Sequence, residues 1–391
     1  MANLAPAAKS PAGPQDPGGV ITSQFRRRLA QASYRANSVV SVDIPRDDVF
    51  KRIFIRMTGS VSVTYGAGSP VIGGLGMLPR LVARIDIVQN GQDTIKSLDP
   101  YMVRMQNVLV SGSAPERAYT SQAGAFTTRE ALTESVFGGP AYQATTGYML
   151  FNESIAIYFE HPFMYEMGKS VSLWNTKGLS SAELRFAFNA QSNLLEDGNS
   201  ASVTYADDLA TLFDIELISA PAIPRESDFM LYKQTVRRVQ FSAQSRDVLV
   251  DLPRGNLLSG IHLLARNGDT NKRLSDIAIT DLALLINGQR LVQKTTFITL
   301  QRENRINHGI SDYRGSASQG ITHLLQGYAY MGLVRDGDVR TCLDTRVANN
   351  VDLVQLAVST AASSGNDAAT YTNPVELTIM TDELAPPVQR I

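Results

Sequence analysis

A chain of 391 residues, of which 43% are hydrophobic and 19% charged, has the composition of a globular protein and the length of two domains. Its formal net charge of −1 excludes a global electrostatic field that would draw it onto nucleic acid or an acidic membrane. A single cysteine, Cys342, excludes an intrachain disulfide, and without an apolar leader or a membrane-length apolar run we expect synthesis in the cytoplasm.

Residues 1–36 are predicted to form an N-terminal arm. Residues 1–20 are rich in Ala, Pro and Gly, and the next segment, SQFRRRLAQASYR, predicts a short basic amphipathic helix capped by Ser23. Such a helix can lie on an anionic membrane or contact nucleic acid. Alternatively, the arm docks on a neighbouring subunit and its arginines are paired with carboxylates or solvated. The arginines are Arg26, Arg27, Arg28 and Arg35.

One five-residue phrase occurs twice, as VDIPR at 42–46 and as VDLPR at 250–254, an offset of 208. The same offset holds through the apolar positions that follow each phrase, and these alternate as in a β-strand. The two halves of the chain are therefore predicted to be copies of one domain.

A second match pairs RIDIVQNGQDTIKSL at 84–98 with DLALLINGQRLVQKT at 281–295, an offset of 197. Each segment holds an Asn-Gly dipeptide between apolar runs, which is the signal for a type I′ hairpin turn. The shorter offset is explained by a longer loop in the first copy, the Gly-rich segment 65–76. The predicted hairpin turns are Asn90, Gly91, Asn287 and Gly288.

A short helix is predicted after each hairpin. In the first copy Asp99 is a suitable N-cap and is followed by a proline, which fits the first helical position. In the second copy Thr295 or Thr296 can cap the helix, and Asn304 then aligns with Asn107. The copies are expected to share a helix as well as strands.

The rest of each half consists of short alternating apolar runs, which predict half-buried strands. The predicted fold is all-β, with two tandem eight-stranded jelly-roll sandwiches, short helices and long loops. Jelly roll 1 is assigned to 37–224 and jelly roll 2 to 225–391, with a Pro-rich boundary between them. The segments 111–148 and 304–322 are predicted to be surface excursions.

No catalytic, cofactor-binding or metal site is predicted. The four histidines are widely separated in the sequence, so they form no local metal pair and are expected to be structural or solvent-facing. Adjacent acids such as Asp382 and Glu383 are expected in solvated loops. The histidines are His161, His262, His308 and His323.

Two similar all-β halves, each with an Asn-Gly hairpin and a following helix, resemble the double jelly-roll major capsid proteins of tailless icosahedral bacteriophages and the adenovirus-type lineage. The resemblance covers roughly residues 37–391. It implies a virion protein that is not an enzyme, forms pseudo-hexagonal homotrimers, tiles an icosahedral shell and meets other virion proteins such as vertex proteins. It also implies that the N-terminal arm faces the virion interior, where its arginines would contact an internal membrane or the genome.

Two other functions are compatible with the sequence. A two-domain jelly-roll carbohydrate-active protein, either a lectin or a glycan hydrolase, would need exposed aromatic platforms and convergent carboxylates, whereas this chain has one tryptophan, Trp174. A minor virion spike component would also be β-rich and trimeric, although the duplication of a whole domain weighs against it.

Overall fold

The structure, a computed structural model, describes residues 25–64, 77–112, 117–121, 146–164, 172–190, 193, 204–206, 211–219, 230–242, 244–266, 274–310, 325–334, 337–346, 351–361 and 375–386. Several predicted features lie wholly or mostly outside these residues. They are the Gly-rich loop 65–76, the greater part of both surface excursions, and the Pro-rich boundary near residue 224.

Strands make up most of the described chain. The strands of the first half are β1 (Phe25–Arg28), β2 (Ala32–Ser33), β3 (Val39–Asp43), β4 (Val49–Thr64), β5 (Val82–Gln89), β6 (Asp93–Leu98), β7 (Arg117–Ser121), β8 (Thr146–Tyr158), β9 (Trp174–Asn175), β10 (Ala182–Phe188), β11 (Thr204–Ala206) and β12 (Leu212–Ser219). The strands of the second half are β13 (Leu231–Phe241), β14 (Val248–Asp251), β15 (Leu257–Arg266), β16 (Ile279–Ile286), β17 (Gln289–Thr296), β18 (Tyr328–Gly332), β19 (Leu343–Asp344), β20 (Val354–Thr360) and β21 (Val375–Ala385). The helices are α1 (Met77–Leu81), α2 (Pro100–Ser111) and α3 (Phe297–Asn307), with one 3-10 turn at Val339–Thr341.

The first half is a sandwich of two antiparallel sheets. The principal strands of one sheet have the order β1-β12-β4-β8, with β7 paired to β8 beyond them, and those of the other sheet have the order β3-β10-β5-β6. Strand β10 shows why these segments form strands: Leu184, Phe186 and Phe188 alternate with more exposed residues, so that one face of the strand enters the core.

The second half repeats this topology. Its sheets have the orders β13-β21-β15-β18 and β14-β20-β16-β17. When the eight principal strands of each half are counted along the chain, both halves give the same two sheets, 1-8-3-6 and 2-7-4-5. This pairing is that of a jelly roll, so the predicted double jelly roll is confirmed.

The duplication extends to the irregularities of the sheets. The register skips Lys51 where β4 pairs with β12, and it skips Ser259, the equivalent position in the VDIPR match, where β15 pairs with β21. It likewise skips Ala83 in β5 and Thr280 in β16, which are equivalent positions in the Asn-Gly match. Because a β-bulge is a specific local feature, its repetition at equivalent positions supports the duplication independently of the sequence matches.

Helices α2 and α3 occupy equivalent places, each between the fifth and sixth principal strands of its half. The Asp99 side chain caps α2 by accepting hydrogen bonds from the backbone N–H groups of Tyr101 (2.9 Å) and Met102 (3.4 Å). Thr296 caps α3 by accepting from the N–H of Thr299 at 3.1 Å. Both helices therefore begin where the capping residues predict.

The predicted helix in the N-terminal arm is wrong. Phe25–Arg28 is strand β1 and Ala32–Ser33 is strand β2, and both pair antiparallel with β12. The backbone of β1 hydrogen-bonds to the otherwise open edge of β12, and this long-range pairing outweighs the local helical periodicity. The first sandwich consequently begins at β1 and not at residue 37.

The two halves meet edge to edge. Strand β6 of the first half lies beside β13 of the second, joined by a single parallel bridge between Lys96 and Gln234. The hydrophobic core of the first half continues across this seam and takes in Tyr328, Tyr330 and Met380 from the second half. The halves are thus packed through a shared core.

Candidate functional site

The two Asn-Gly dipeptides form the turns between β5 and β6 and between β16 and β17. Asn90 and Gly91 have φ values of 52° and 76°, and Asn287 and Gly288 have values of 49° and 77°. Two successive positive φ values are what a type I′ turn requires.

Each turn asparagine also binds the loop that leads into the seventh strand of its half. The Asn90 Oδ1 atom accepts a hydrogen bond from the backbone N–H of Ser180 at 2.9 Å. The Asn287 Oδ1 atom accepts from the N–H groups of Asp352 (2.9 Å) and Leu353 (3.0 Å). The asparagine is therefore used twice, for its backbone conformation and for its side chain.

The arginine that ends the repeated VDIPR and VDLPR phrases holds the same loops. Arg46 donates to the carbonyl oxygens of Leu179 (3.3 Å) and Ser180, just before β10. Arg254 donates to the carbonyl oxygens of Val351 (3.4 Å) and Asp352 (2.6 Å), just before β20. In each half the repeated phrase and the repeated turn thus fix one loop from two sides.

The helix asparagines that the sequence aligns have the same role in both halves. Asn107 Nδ2 donates to the carbonyl oxygen of Ala156 (2.8 Å), and Asn107 Oδ1 accepts from the N–H of the same residue (2.7 Å). Asn304 makes the same two bonds with Tyr330, both at 2.7 Å. Each amide replaces a neighbouring strand at the edge of a sheet.

The arginines of the N-terminal segment do not share one face. Arg27 donates to both carboxylate oxygens of Asp47, at 2.8 and 3.0 Å, and this hydrogen bonding lowers the pKa of Asp47. On the other face of β1, Arg28 pairs with Asp214 at 2.5 Å and Arg26 lies 3.5 Å from Glu216. Arg35 is exposed between β2 and β3. Three of the four arginines therefore bind carboxylates of their own chain.

A buried polar network crosses the seam between the halves. Lys96 Nζ of β6 donates to Gln234 Oε1 of β13 at 2.8 Å and lies 3.8 Å from the centroid of the Tyr232 ring. Gln234 Nε2 in turn donates to Asp382 Oδ1 of β21 at 2.9 Å. Burial lowers the pKa of Lys96 well below its usual value, and the attraction to Asp382 opposes that shift.

Two of the four histidines join this network. His262 Nε2 lies 2.8 Å from Asp382 Oδ2, and His262 Nδ1 lies 2.5 Å from the Tyr328 hydroxyl. His161 Nε2 lies 2.8 Å from the Ser259 hydroxyl, which donates to the Asp382 carbonyl oxygen at 3.0 Å. Because burial disfavours the charged imidazole, the pKa of His161 falls to about 4.

The network has the groups of an acid–base site but is closed to solvent. The side chains of His262 and Asp382 are both 0% exposed, so no substrate reaches them in this conformation. The expectation that Asp382 and Glu383 lie in a solvated loop is wrong, since both are buried in β21, a strand with partners on either side. We assign the network the task of joining the two halves.

Sequence reasoning did not find this network because its members are far apart in the chain. His262 and Asp382 are separated by 120 residues, and Lys96 and Gln234 by 138. The available signal was weak: a charged residue inside an apolar strand, as in TIKSL and TIMTDEL. In the part of the chain that the structure describes, no group of three or more His, Cys, Asp or Glu could hold a metal ion. No helix there is long and apolar enough to span a membrane.

The topology of both halves defines a double jelly roll, and solved structures of viral proteins have similar folds. The chain is similar to the STIV MCP, with a TM-score of 0.64, 12% identity and coverage of 93% of this chain and 97% of that one. It is also similar to the major capsid protein P2 from bacteriophage PM2, with a TM-score of 0.51, 11% identity and coverage of 93% and 98%. The Sputnik virophage structure matches with a TM-score of 0.54, 14% identity and coverage of 100% and 94%.

No protein-family model matches the sequence, and neither does any curated protein. At such low identity the similarity concerns the fold. The predicted resemblance to double jelly-roll capsid proteins is confirmed at that level, over nearly the whole length of both chains.

Proposed function

We propose that this chain is the major capsid protein of an icosahedral virus, located in the virion, with a structural and not a catalytic role. The observation that carries the proposal is the pair of jelly rolls with identical strand order, joined through a shared core. Support comes from the fold similarity to the STIV MCP and to the PM2 major capsid protein over more than nine-tenths of each chain.

We further propose that three copies associate into a pseudo-hexagonal block and that such blocks tile the shell. Two near-equivalent domains in each chain give a trimer six similar edges, which suits a hexagonal lattice. Loops that differ between the halves keep the edges distinguishable. The partners are then other copies of this chain and, at the fivefold positions, separate vertex proteins.

Contact between the N-terminal arginines and an internal membrane or genome has weaker support. Arg26, Arg27 and Arg28 already bind carboxylates of their own chain. A contact with anionic lipid or nucleic acid would have to compete with those pairs.

The carbohydrate-active alternative has little support in the described part of the chain. Trp174 is 1% exposed and packs against Phe159, with ring centroids 4.8 Å apart, so it offers no sugar-stacking platform. The buried acids at the seam are closed to solvent, as described above.

Native mass spectrometry of the purified full-length protein tests the proposal. A capsid protein of this kind should give a species with three times the mass of the 42.5-kDa chain, and higher assemblies as protein concentration rises. A chain that stays monomeric at high micromolar concentration, in both low and moderate salt, would contradict it.

A further inference from the structure

The β13-β21-β15-β18 sheet of the second half is covered on its outer face by the first half, whereas the equivalent β1-β12-β4-β8 sheet of the first half is more exposed on that face. In the second half, β21 is buried on both of its faces, because the first half packs against its outer side. The equivalent strand of the first half, β12, alternates between half-exposed and buried residues as far as Leu217, and only its last two residues, Ile218 and Ser219, are both buried. Its outer face presents Asp214 and Glu216, beside Arg26 and Arg28 of β1. On this face the side chains of Asp214 and Glu216 are 19% and 36% exposed.

The helices show the complementary difference. Helix α2 is buried around most of its circumference, whereas one side of α3 is exposed. The two helices align at the offset of 197 that relates the Asn-Gly turns. Residues of α2 that face away from their own sandwich are buried, and the residues of α3 aligned with them are exposed. The most exposed of these is Ile306, at 80%. The buried residues of α2 and their exposed counterparts are Tyr101 and Ile298, Met102 and Thr299, Met105 and Arg302, Gln106 and Glu303, and Leu109 and Ile306.

A cavity lies next to α3, where the equivalent site beside α2 is filled. At the seam, Tyr232 of the second half packs with Tyr158 of the first, and its hydroxyl accepts a hydrogen bond from Gln106 at 3.0 Å. The corresponding place beside α3 is a cavity of about 420 Å³, lined by Glu303 and by Gly332, which stands where Tyr158 stands in the first half. The Tyr232 side chain thus fills the site beside α2, whereas the equivalent site beside α3 is an open cavity.

We propose that the exposed side of α3 and the adjoining β17 of one copy dock on the outer β1-β12-β4-β8 face of a second copy. The contact repeats the one that α2 and β6 make with the β13-β21-β15-β18 sheet inside the chain. Such a head-to-tail contact joins unlike surfaces, so it generates a ring when the rotation closes. The inference rests on the proposed function, because it specifies the surfaces through which the proposed trimer forms.

The strand register identifies one pair of residues at this contact. Arg26 pairs with Ile218, and Ile218 pairs on its other side with Arg52. In the second half Gln234 pairs with Asp382, and Asp382 pairs on its other side with Gly260. Arg52 and Gly260 are related by the offset of the VDIPR match, so Arg26 and Gln234 occupy equivalent positions. At the seam, Gln234 Nε2 donates to Gln106 Oε1 at 3.4 Å. Between copies the same positions hold Arg26 and Glu303, which have opposite charges.

The charged cluster of Asp99, Arg238 and Arg266 at the seam has uncharged counterparts at the proposed contact. Asp99 lies 3.3 Å from Arg238 and 3.5 Å from Arg266. At the corresponding positions of the proposed contact all three charges are absent. The residues there are Thr296 in place of Asp99, Ala30 in place of Arg238 and Thr58 in place of Arg266. Loss of all three charges together leaves none of this cluster unpaired at the proposed contact.

Charge reversal tests the contact. Arg26→Glu and Glu303→Arg should each weaken the trimer about tenfold or more, because like charges would face each other across the contact. The double variant should recover most of the wild-type association. Arg84→Glu is the matched control, since it makes the same charge change on the exposed outer face of β5, in the other sheet. The readout is the trimer fraction by native mass spectrometry across a dilution series, with Trp174 fluorescence as a check of folding.

The outcomes separate this inference from the proposed function. Association that falls in both single variants and returns in the double variant supports the contact. A trimeric wild type whose single variants associate as strongly as the Arg84→Glu control overturns the contact and leaves the proposed function standing. A monomeric wild type overturns both.

Discussion

Replacing Asn107 or Asn304 with alanine tests whether these amides act as substitutes for a neighbouring strand. Each substitution removes two hydrogen bonds of 2.7–2.8 Å and leaves the N–H and C=O of Ala156 or Tyr330 without those partners. A net hydrogen bond contributes about 1 kcal/mol, and a buried group left unpaired costs more, so each variant should lose about 2–4 kcal/mol of unfolding free energy. The loss should be larger at Asn304, which is 4% exposed, than at the half-buried Asn107.

Urea unfolding followed by two probes measures these losses. Trp174, the single tryptophan, reports on the first half, and circular dichroism reports on both. The matched variants Asn107→Asp and Asn304→Asp keep an acceptor but set a carboxylate oxygen against the carbonyl oxygen that the amide had bound, and they bury a charge. They should therefore lose at least as much stability as the alanine variants. If both alanine variants unfold within about 0.5 kcal/mol of wild type, the edge-pairing argument is wrong.

Three further changes have defined outcomes. Gly91→Ala and Gly288→Ala place a side chain at positive φ with no atom within 4 Å of the added Cβ, so each should cost only backbone strain, about 1 kcal/mol by thermal unfolding. The pKa of His161 is about 4 in the fold against 6.5 in the unfolded chain, so its contribution to stability, up to about 3 kcal/mol, is complete above pH 6.5 and is lost as pH falls toward 4. His161→Gln should remove this part of the pH dependence when unfolding free energy is measured in urea at a series of pH values. An unchanged slope of unfolding free energy against pH would contradict the assignment. Deleting residues 1–36 removes β1 and β2, so it should expose the edge of β12 and lower the melting temperature, whereas the control deletion of 1–20 should not. Equal melting temperatures would show that these two strands do not stabilise the sandwich.

The fold was predictable because the duplication makes each weak sequence pattern occur twice. An Asn-Gly dipeptide or a VDIPR phrase alone predicts one turn or one strand end, but two copies at offsets of 208 and 197 define a repeated domain. The helix caps at Asp99 and Thr296 were predictable for a different reason, since capping depends on residues within one turn.

Features that depend on distant pairing were not predictable. Phe25–Arg28 has a helical distribution of apolar and basic residues, and only the open edge of β12, at the far end of the first half, makes it a strand. The buried network around Asp382 is of the same kind: neighbours in the chain suggest a solvated turn, whereas burial comes from the packing of the other half. Periodicity describes one face of one element and carries no information about what covers the other face.

Negative-stain electron microscopy of the purified full-length protein, with class averaging, tests the central claim most directly. Two jelly rolls in each chain and three chains in each particle should give a six-lobed, near-hexagonal outline, and Arg26→Glu or Glu303→Arg should shift the particles toward single two-lobed chains. Wild-type particles that are two-lobed and monomeric at micromolar concentration would contradict the account of this chain as a capsid building block.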